Sequence, residues 1–160
     1  MKKILLFTTI LVLLVSGCTQ KLPMREQSAL IVIKTPTMRY ADMGFISKYD
    51  GYTKLQIYGL GQPILSFDIN KHTICMSLLE CMSKSEFNRK MLSQNYPDDT
   101  LEHIINGEPI INGANLLQNS SGFTQSIVQN GLYDIEYSVT NKNIAFNDKI
   151  NKITIKVDEQ

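Results

Sequence analysis

The sequence predicts an α+β fold that is mainly antiparallel β, with a curved sheet and two short helices in or over its concave face. Apolar and polar residues alternate along most of the chain, which is typical of strands that bury one face. Tight-turn signals, above all Asp50-Gly51 and Asn130-Gly131, separate such strands into hairpins. Near the middle of the chain the apolar spacing becomes helical, so the predicted order is strands, two short helices, and strands again.

The amino terminus has the pattern of a secretory signal. Two lysines precede an apolar run over residues 4–15, and Ser16-Gly17 comes directly before Cys18. The run is shorter than the roughly 20 residues that a membrane-spanning helix needs. A cysteine after small residues resembles bacterial lipoprotein signals, so we expect residues 1–17 to be removed and Cys18 to carry acyl chains. A plain secretory signal with an incidental cysteine is the alternative.

The remaining chain has the length of one domain and little net charge. Residues 18–27 are polar, contain a proline and predict a tether, and residues 28–160 predict a single domain. The whole chain has a formal net charge of +1, from 16 Lys and Arg against 15 Asp and Glu. Because no run of basic residues stands out, the composition argues against nucleic acid as a partner.

The first half of the predicted domain is a meander of strands. Residues 29–33 are a β-branched run, and residues 38–48 are a second extended segment. After Asp50-Gly51, and again after a turn at 59–63, apolar residues alternate with polar ones, which predicts two strands with one buried face. A short strand over residues 72–76 comes last before the helices.

Two short amphipathic helices interrupt the strands. Ser83 and Glu86 form a capping-box pattern at the start of the first, which we expect over residues 83–94. Asp98 is the predicted N-cap of the second helix, and Gly107 ends it.

Strands return after a loop rich in Asn, Gly and Ser over residues 112–122. Residues 123–129 and the alternating segment 133–139 flank the Asn130-Gly131 turn and predict a hairpin. Residues 144–146 and 153–157 are the last strands of the domain.

Two short helices cover only part of such a sheet. An apolar pocket on the concave face is therefore one expectation, and a completely filled core is the other. The apolar residues that alternate onto the buried face are the candidates for the wall of a cavity: Leu55, Ile57, Leu65, Phe67, Ile69, Tyr133, Ile135, Tyr137, Ile153 and Ile155.

Cys75 and Cys81 remain as a pair if Cys18 is acylated. We expect a disulfide between them, because the space outside the inner membrane is oxidising. A zinc site is the rival interpretation, but with His72 as the nearest further ligand it has too few ligands.

The sequence contains no motif that indicates catalysis. It has no G-x-S-x-G elbow, no H-E-x-x-H helix, no P-loop and no dinucleotide fingerprint. The two histidines, His72 and His103, fall in different predicted elements and have the pattern of surface or structural residues. We therefore expect a protein that is not an enzyme and that binds no metal and no cofactor.

Leu60 is unusual because it is a large apolar residue at a predicted loop tip. Gly59 and Gly61 flank it and permit a sharp turn. An apolar tip beside a lipid anchor suits contact with a bilayer or with a lipidated ligand. The alternative is that Leu60 folds back onto the edge of the sheet.

The order of elements over residues 52–157 resembles the LolB family of outer-membrane lipoprotein receptors. Members have a strand, a loop with a protruding leucine, further strands, two helices with a Gly-x-Pro after the second, and returning strands. The matching pieces here include residues 52–58, Leu60, residues 83–94 and Gly107-Glu108-Pro109. By position, Leu60 corresponds to the protruding leucine, which in that family helps move lipoproteins into the membrane. Unlike the family, this chain has no tryptophan.

The resemblance implies an unclosed β-barrel around a hydrophobic cavity, anchored by lipid to the periplasmic face of the bacterial outer membrane. Such a protein binds acyl chains and helps insert lipoproteins that a periplasmic LolA-like carrier delivers. The alternative is a non-enzymatic envelope interaction module or assembly factor, built as a β-sandwich or as the same fold without transfer activity. An open apolar cavity favours the first function, and a filled core favours the second.

We predict that Cys18→Ala yields a protein that acyl chains no longer anchor, because the substitution removes the residue that receives them. Membrane fractionation and mass spectrometry of the mature amino terminus measure this. An unacylated Cys18 in the native protein would contradict the prediction.

Overall fold

A computed structural model describes residues 22–76 and 81–160, in which the chain forms an eleven-stranded antiparallel sheet and two α-helices. The sheet is curved and not closed, which confirms the predicted fold class. The predicted signal peptide and Cys18 lie outside the described residues. The elements are β1 (Arg25–Lys34), β2 (Arg39–Tyr49), β3 (Tyr52–Gly59), β4 (Gln62–Asn70), β5 (Thr73–Met76), β6 (Cys81–Ser83), α1 (Lys84–Met91), α2 (Thr100–Asn106), a 3-10 turn (Ile111–Gly113), β7 (Leu116–Asn119), β8 (Gly122–Gln129), β9 (Tyr133–Thr140), β10 (Asn143–Asp148) and β11 (Ile153–Glu159).

The first and last strands pair at the centre of the sheet. The order across the sheet is β6-β5-β4-β3-β2-β1-β11-β10-β9-β8-β7. Each half is therefore a meander that runs outward from the centre, and β6 and β7 are the two edges. Because these edges do not pair with each other within the described residues, the barrel stays open.

The turns of the sheet define two ends. The β1–β2, β3–β4 and β10–β11 turns lie at one end, which we call the tip end because Leu60 is there. The β2–β3, β4–β5 and β9–β10 turns lie at the opposite end, which we call the base end. The inner face carries the helices, and the outer face carries none of the described ones.

Two segments that were predicted to lack strands contain them, and the first helix ends at Met91 and not at residue 94. Residues 25–27, expected in the tether, begin β1 and pair with β2, where Gln27 lies opposite Ile46. The expected loop over residues 112–122 contains the 3-10 turn and the edge strand β7, where Leu117 lies opposite Thr124 of β8. Both segments are too polar for the alternation pattern, and a neighbouring strand supplies the hydrogen-bond partners that make them extended.

The helices begin close to their predicted starts. The Ser83 hydroxyl accepts a hydrogen bond of 3.1 Å from the backbone N–H of Glu86, which confirms Ser83 as an N-cap. The second helix starts one residue later than predicted, with Asp99 as its N-cap. It ends at Gly107, which adopts the left-handed conformation, with φ at 68°, that favours glycine at this position.

Gly44, in the middle of β2, leaves no room for a side chain. A Cβ atom there would lie 2.1 Å from the carbonyl oxygen of Gln56 and 2.7 Å from Cδ1 of Ile31. Glycine inside a strand often marks such a close approach of another backbone. The contact between β2 and β3 therefore depends on the absence of a side chain at this position.

Asp148 joins the segment between the helices to the tip end of the sheet. Its carboxylate is fully buried and accepts hydrogen bonds from the Tyr96 hydroxyl, from the backbone of Asp134 on β9, and from Ile150 and Asn151 in the β10–β11 turn. Burial alone would raise its pKa, but these hydrogen bonds outweigh burial and hold the pKa below its ordinary value of 3.8.

We predict that Gly44→Ala destabilises the domain by about 2 kcal/mol or more, because the added methyl must displace the backbone of β3. Gly59→Ala is the matched control. Its Cβ would meet only side-chain atoms of Ile64, at 3.2 Å or more, and these are able to shift. Chemical denaturation of both variants measures the difference. Equal stability of the two variants would show that the sheet relaxes around residue 44.

We predict that Asp148→Asn lowers the free energy of unfolding by about 2 kcal/mol at neutral pH. Because its folded-state pKa is lowered, the Asp148 carboxylate stabilises the fold above its ordinary pKa and loses this contribution as pH falls through the folded-state pKa. The variant should therefore lose less stability than the native protein on acidification below about pH 5. Asp158→Asn, on the outer face of β11, is the control and should leave the free energy of unfolding at neutral pH within about 0.5 kcal/mol of the native value. An unchanged acid profile in Asp148→Asn would contradict the prediction.

Candidate functional site

The turn between β3 and β4 is a two-residue hairpin loop with Leu60 and Gly61 at its tip. Gly59 and Gln62 pair on either side of it. Both tip residues have positive φ, at 51° and 78°. Two positive φ values in sequence are those of a type I′ turn, which matches the right-handed twist of its strands.

Leucine is a costly choice for this position. A side chain with a Cβ in the left-handed region is strained by about 1 kcal/mol or more, so asparagine or glycine is the usual occupant. The Leu60 side chain is also fully exposed, at 106% of its reference area, which confirms that it does not fold back onto the sheet. Because Leu60 serves neither the turn nor the core, it is the strongest candidate for a functional residue in the described part of the chain.

Side-chain contacts on the outer face of the sheet hold this hairpin in place. The pairing register of β3 and β4 shifts between Ile57 and Tyr58, and such an irregularity bends a strand and increases its twist. The Tyr58 ring lies edge-on to Phe45 of β2, with centroids 5.7 Å apart. Ile64 lies against the backbone of Gly59, within 3.3 Å of the place where a Cβ would stand. The tip is thus the end of a packed hairpin and not of a long loop.

The ten predicted cavity residues all lie in the hydrophobic core. Each of them has at most 8% of its surface exposed. They line the inner faces of four strands: Leu55 and Ile57 on β3, Leu65, Phe67 and Ile69 on β4, Tyr133, Ile135 and Tyr137 on β9, and Ile153 and Ile155 on β11. The sequence therefore placed them on the correct face.

Helical side chains and the segment between the helices fill the concave face. Phe87 of α1 lies edge-on to Phe67, with ring centroids 5.4 Å apart. Tyr96, between the helices, lies edge-on to Phe146 of β10 at 6.0 Å. With both halves of the sheet covered in this way, the inner face is a filled core. A ligand cavity at these residues stays a prediction, and it requires the helical layer to move away from the sheet.

Polar contacts hold the helical layer in place, and sequence reasoning missed them. The amide of Gln125 on β8 accepts a hydrogen bond of 2.9 Å from the backbone N–H of Ile110 and donates one of 3.0 Å to its carbonyl. Lys84 at the start of α1 donates to Asp99 at 2.6 Å and also to Glu102, both next to or in α2. The sequence signal for such contacts is a polar residue at an inward position of a strand, such as Gln125.

A polar cleft of about 740 Å³ opens at the base end, near α2. It contains both histidines, His72 and His103, together with the paired Lys84 and Asp99. Burial lowers the pKa of Lys84, but the hydrogen bonds to its two carboxylates outweigh burial, so the pKa is raised and the ammonium stays charged. The same contact lowers the pKa of Asp99. Lys84 is thus a structural cation that joins the two helices.

Metal ligands do not converge in the described residues. No three His, Cys, Asp or Glu side chains among residues 22–76 and 81–160 are placed to hold a metal ion. Over the same residues, no helix is both long and apolar enough to cross a membrane.

The predicted disulfide between Cys75 and Cys81 is present. The two cysteines lie directly opposite each other on β5 and β6, so the bond closes the short edge hairpin of the sheet. Cys81 begins this edge strand, which directly precedes α1. The disulfide crosslinks an edge with which no further strand pairs in the part of the chain that the structure describes.

Comparison with family models and with curated proteins identified no relative of this chain. No family model matches the chain, and no curated protein is significantly similar to it.

Proposed function

We propose that this chain is a lipid-anchored protein of the bacterial outer membrane that receives acyl chains and helps insert lipoproteins into the bilayer. The single observation that carries the proposal is Leu60, an exposed leucine held in a strained turn at the end of a packed hairpin. The unclosed sheet with helices on its inner face agrees with the fold that the LolB-like resemblance implies. Cys18 supplies the anchor in this proposal, and the donor is a periplasmic LolA-like carrier.

Leu60 acts by entering the apolar part of a membrane or touching an acyl chain. Burial of a leucine side chain contributes about 1.5–3 kcal/mol, which is enough to favour a transient contact and too little to make it permanent. Because the hairpin is stiff, contact at the tip costs little ordering of the chain. A weak contact made by a stiff hairpin suits a step in which the protein releases a lipoprotein into the bilayer and then leaves the contact.

Acyl chains are accepted, in this proposal, by the inner face after the helical layer has moved. The ten core residues then form the wall, and burial of acyl surface at about 25 cal/mol per Å² supplies the affinity. The polar contacts of Lys84, Gln125 and Asp148 are the ones that this movement has to break.

The filled core favours a second candidate function. An envelope interaction module or assembly factor of the same fold needs no cavity, and its core is expected to be closed as it is here. In such a protein Leu60 is an anchor for a protein partner, and lipid transfer is absent.

We predict that Leu60→Asn leaves the domain as stable as the native protein or more stable by up to about 1 kcal/mol, because asparagine tolerates the left-handed turn. The same variant should transfer a lipidated protein to liposomes about tenfold more slowly, because the apolar tip is lost. Thermal melting measures the first effect, and a fluorescence transfer assay measures the second.

Leu117→Asn is the matched control. Leu117 is also an exposed leucine, at 71%, but it lies on the edge strand β7 and away from the tip end. It should melt and transfer normally. Normal transfer by Leu60→Asn would overturn the lipid-transfer proposal and favour the interaction module.

A further inference from the structure

The outer face of β1 to β4 carries apolar residues that no described element covers. Four of them, Leu30, Met43, Phe45 and Ile64, are 37% to 44% exposed, and we call them the outer apolar patch. Leu30 and Met43 lie directly opposite each other on β1 and β2. Phe45 reaches the next strand through its contact with the Tyr58 ring. The patch is therefore continuous across neighbouring strands and ends beside the Leu60 hairpin.

The opposite half of the outer face has a different composition. The outward positions of β8 to β11 are mainly polar, although Val128 is 61% exposed: the polar ones include Thr124, Ser126, Glu136, Ser138, Asn147, Thr154 and Lys156. The exposed Leu117 and Val128 of this half lie apart from each other, whereas the four residues on β1 to β4 form one continuous patch, as expected of a contact surface.

A row of basic side chains borders the patch at the tip end. Arg39 lies directly opposite Lys34, and Lys34 lies opposite Thr154 on its other side. Like charges directly opposite each other destabilise a sheet. Neither Lys34 nor Arg39 forms an ion pair within the described residues. Together with Lys152 they form what we call the basic row.

The basic row lines a cleft of about 540 Å³. Lys149 also lines it, but its ammonium is 2.6 Å from Glu136, which neutralises it. The carboxylate of Asp148 is buried and holds the turn that carries Lys152. The net charge offered to solvent here is therefore positive, and the cleft suits an anion.

The position of the anchor favours a domain that lies on this face. Cys18 precedes Arg25 by seven residues, which span at most about 25 Å when fully extended. Arg25 is at the base end, and about seven residues of β1, or roughly 23 Å, separate it from the level of Leu60. A domain standing upright on Leu60 needs almost the whole length of this segment stretched out. A domain lying on its outer face needs little of it.

We propose that the outer apolar patch and the basic row lie flat on a membrane, with the basic row binding the phosphate-bearing headgroups of anionic lipids. The inference rests on the membrane contact of the proposed function, but it requires neither an acyl cavity nor lipoprotein transfer. The apolar side chains enter the interface, and the cations pair with lipid phosphates beside them. The two like charges at Lys34 and Arg39 are stabilised in the bound state by the anions that they lack in the free protein.

The test compares two variants that each remove two positive charges. Both are made in the mature chain with Cys18→Ala, so that only contacts of the domain are measured. Lys34→Gln/Arg39→Gln changes the basic row, and Lys71→Gln/Lys142→Gln changes the base end. Binding is measured to vesicles of phosphatidylcholine alone and of phosphatidylcholine mixed with phosphatidylglycerol, at low and high salt.

We expect the first variant to lose about fivefold in binding to the anionic vesicles for each charge removed, with a smaller effect at high salt. The control pair should lose less than twofold. Equal losses in both pairs, or normal binding of Lys34→Gln/Arg39→Gln, would overturn the proposal. If inorganic phosphate competes as effectively as anionic vesicles do, the cleft is a site for the free anion. That result would also overturn the proposal.

Two further measurements separate this inference from the proposed function. Met43→Ser should weaken binding to both kinds of vesicle, and no effect would exclude the apolar patch as a contact. Leu60→Asn tested for lipoprotein transfer reports on the proposed function alone. The basic-row variant could lose binding to anionic vesicles while Leu60→Asn transfers lipoproteins normally. That result would support the membrane-binding surface and overturn the proposed transfer activity.

Discussion

The pairing of the first strand with the last is the constraint on which the rest of the structure depends. β1 and β11 join two meanders into one sheet, and the buried pairs Ile31 with Val157 and Ile33 with Ile155 form the middle of its inner face. Without this ladder, the chain would form two separate sheets, and β1 and β11 would each be an unpaired edge. The same pairing places Lys34 beside Thr154, so Lys152 joins Lys34 and Arg39 in the basic row only because the first and last strands pair.

The inner and outer faces of the sheet differ in what their side chains contact. The inner face buries its apolar residues against two short helices, and a few polar contacts, chiefly those of Asp148, Gln125 and Lys84, hold that layer in place. The outer face contributes little to the core, so its composition is free to serve contacts with other molecules. The outer apolar patch lies next to Lys34 and Arg39, which form no ion pair within the described residues, and neither feature has an explanation in the stability of the fold.

Two features that reduce stability lie at the tip end. Leu60 occupies a turn position that asparagine would occupy with less strain, and Arg39 faces Lys34 without an acid between them. Strained or mutually repelling residues persist where function requires them. Both features are consistent with a tip end that meets a membrane, where apolar and anionic groups are together.

The sequence by itself determined the fold class, the placement of two helices between two groups of strands, the buried faces of β3, β4, β9 and β11, the disulfide partners and the exposed leucine, because each depends on local spacing or on neighbouring residues. It did not determine the edge strand β7, the start of β1 at Arg25, or the buried hydrogen bonds of Gln125, since these depend on partners far along the chain. Only the tertiary structure decided that the concave face is filled, because helix packing and not alternation sets the remaining space. Only it brought Lys152 next to Lys34 and Arg39 on one surface, because strand register places residues from distant parts of the chain side by side.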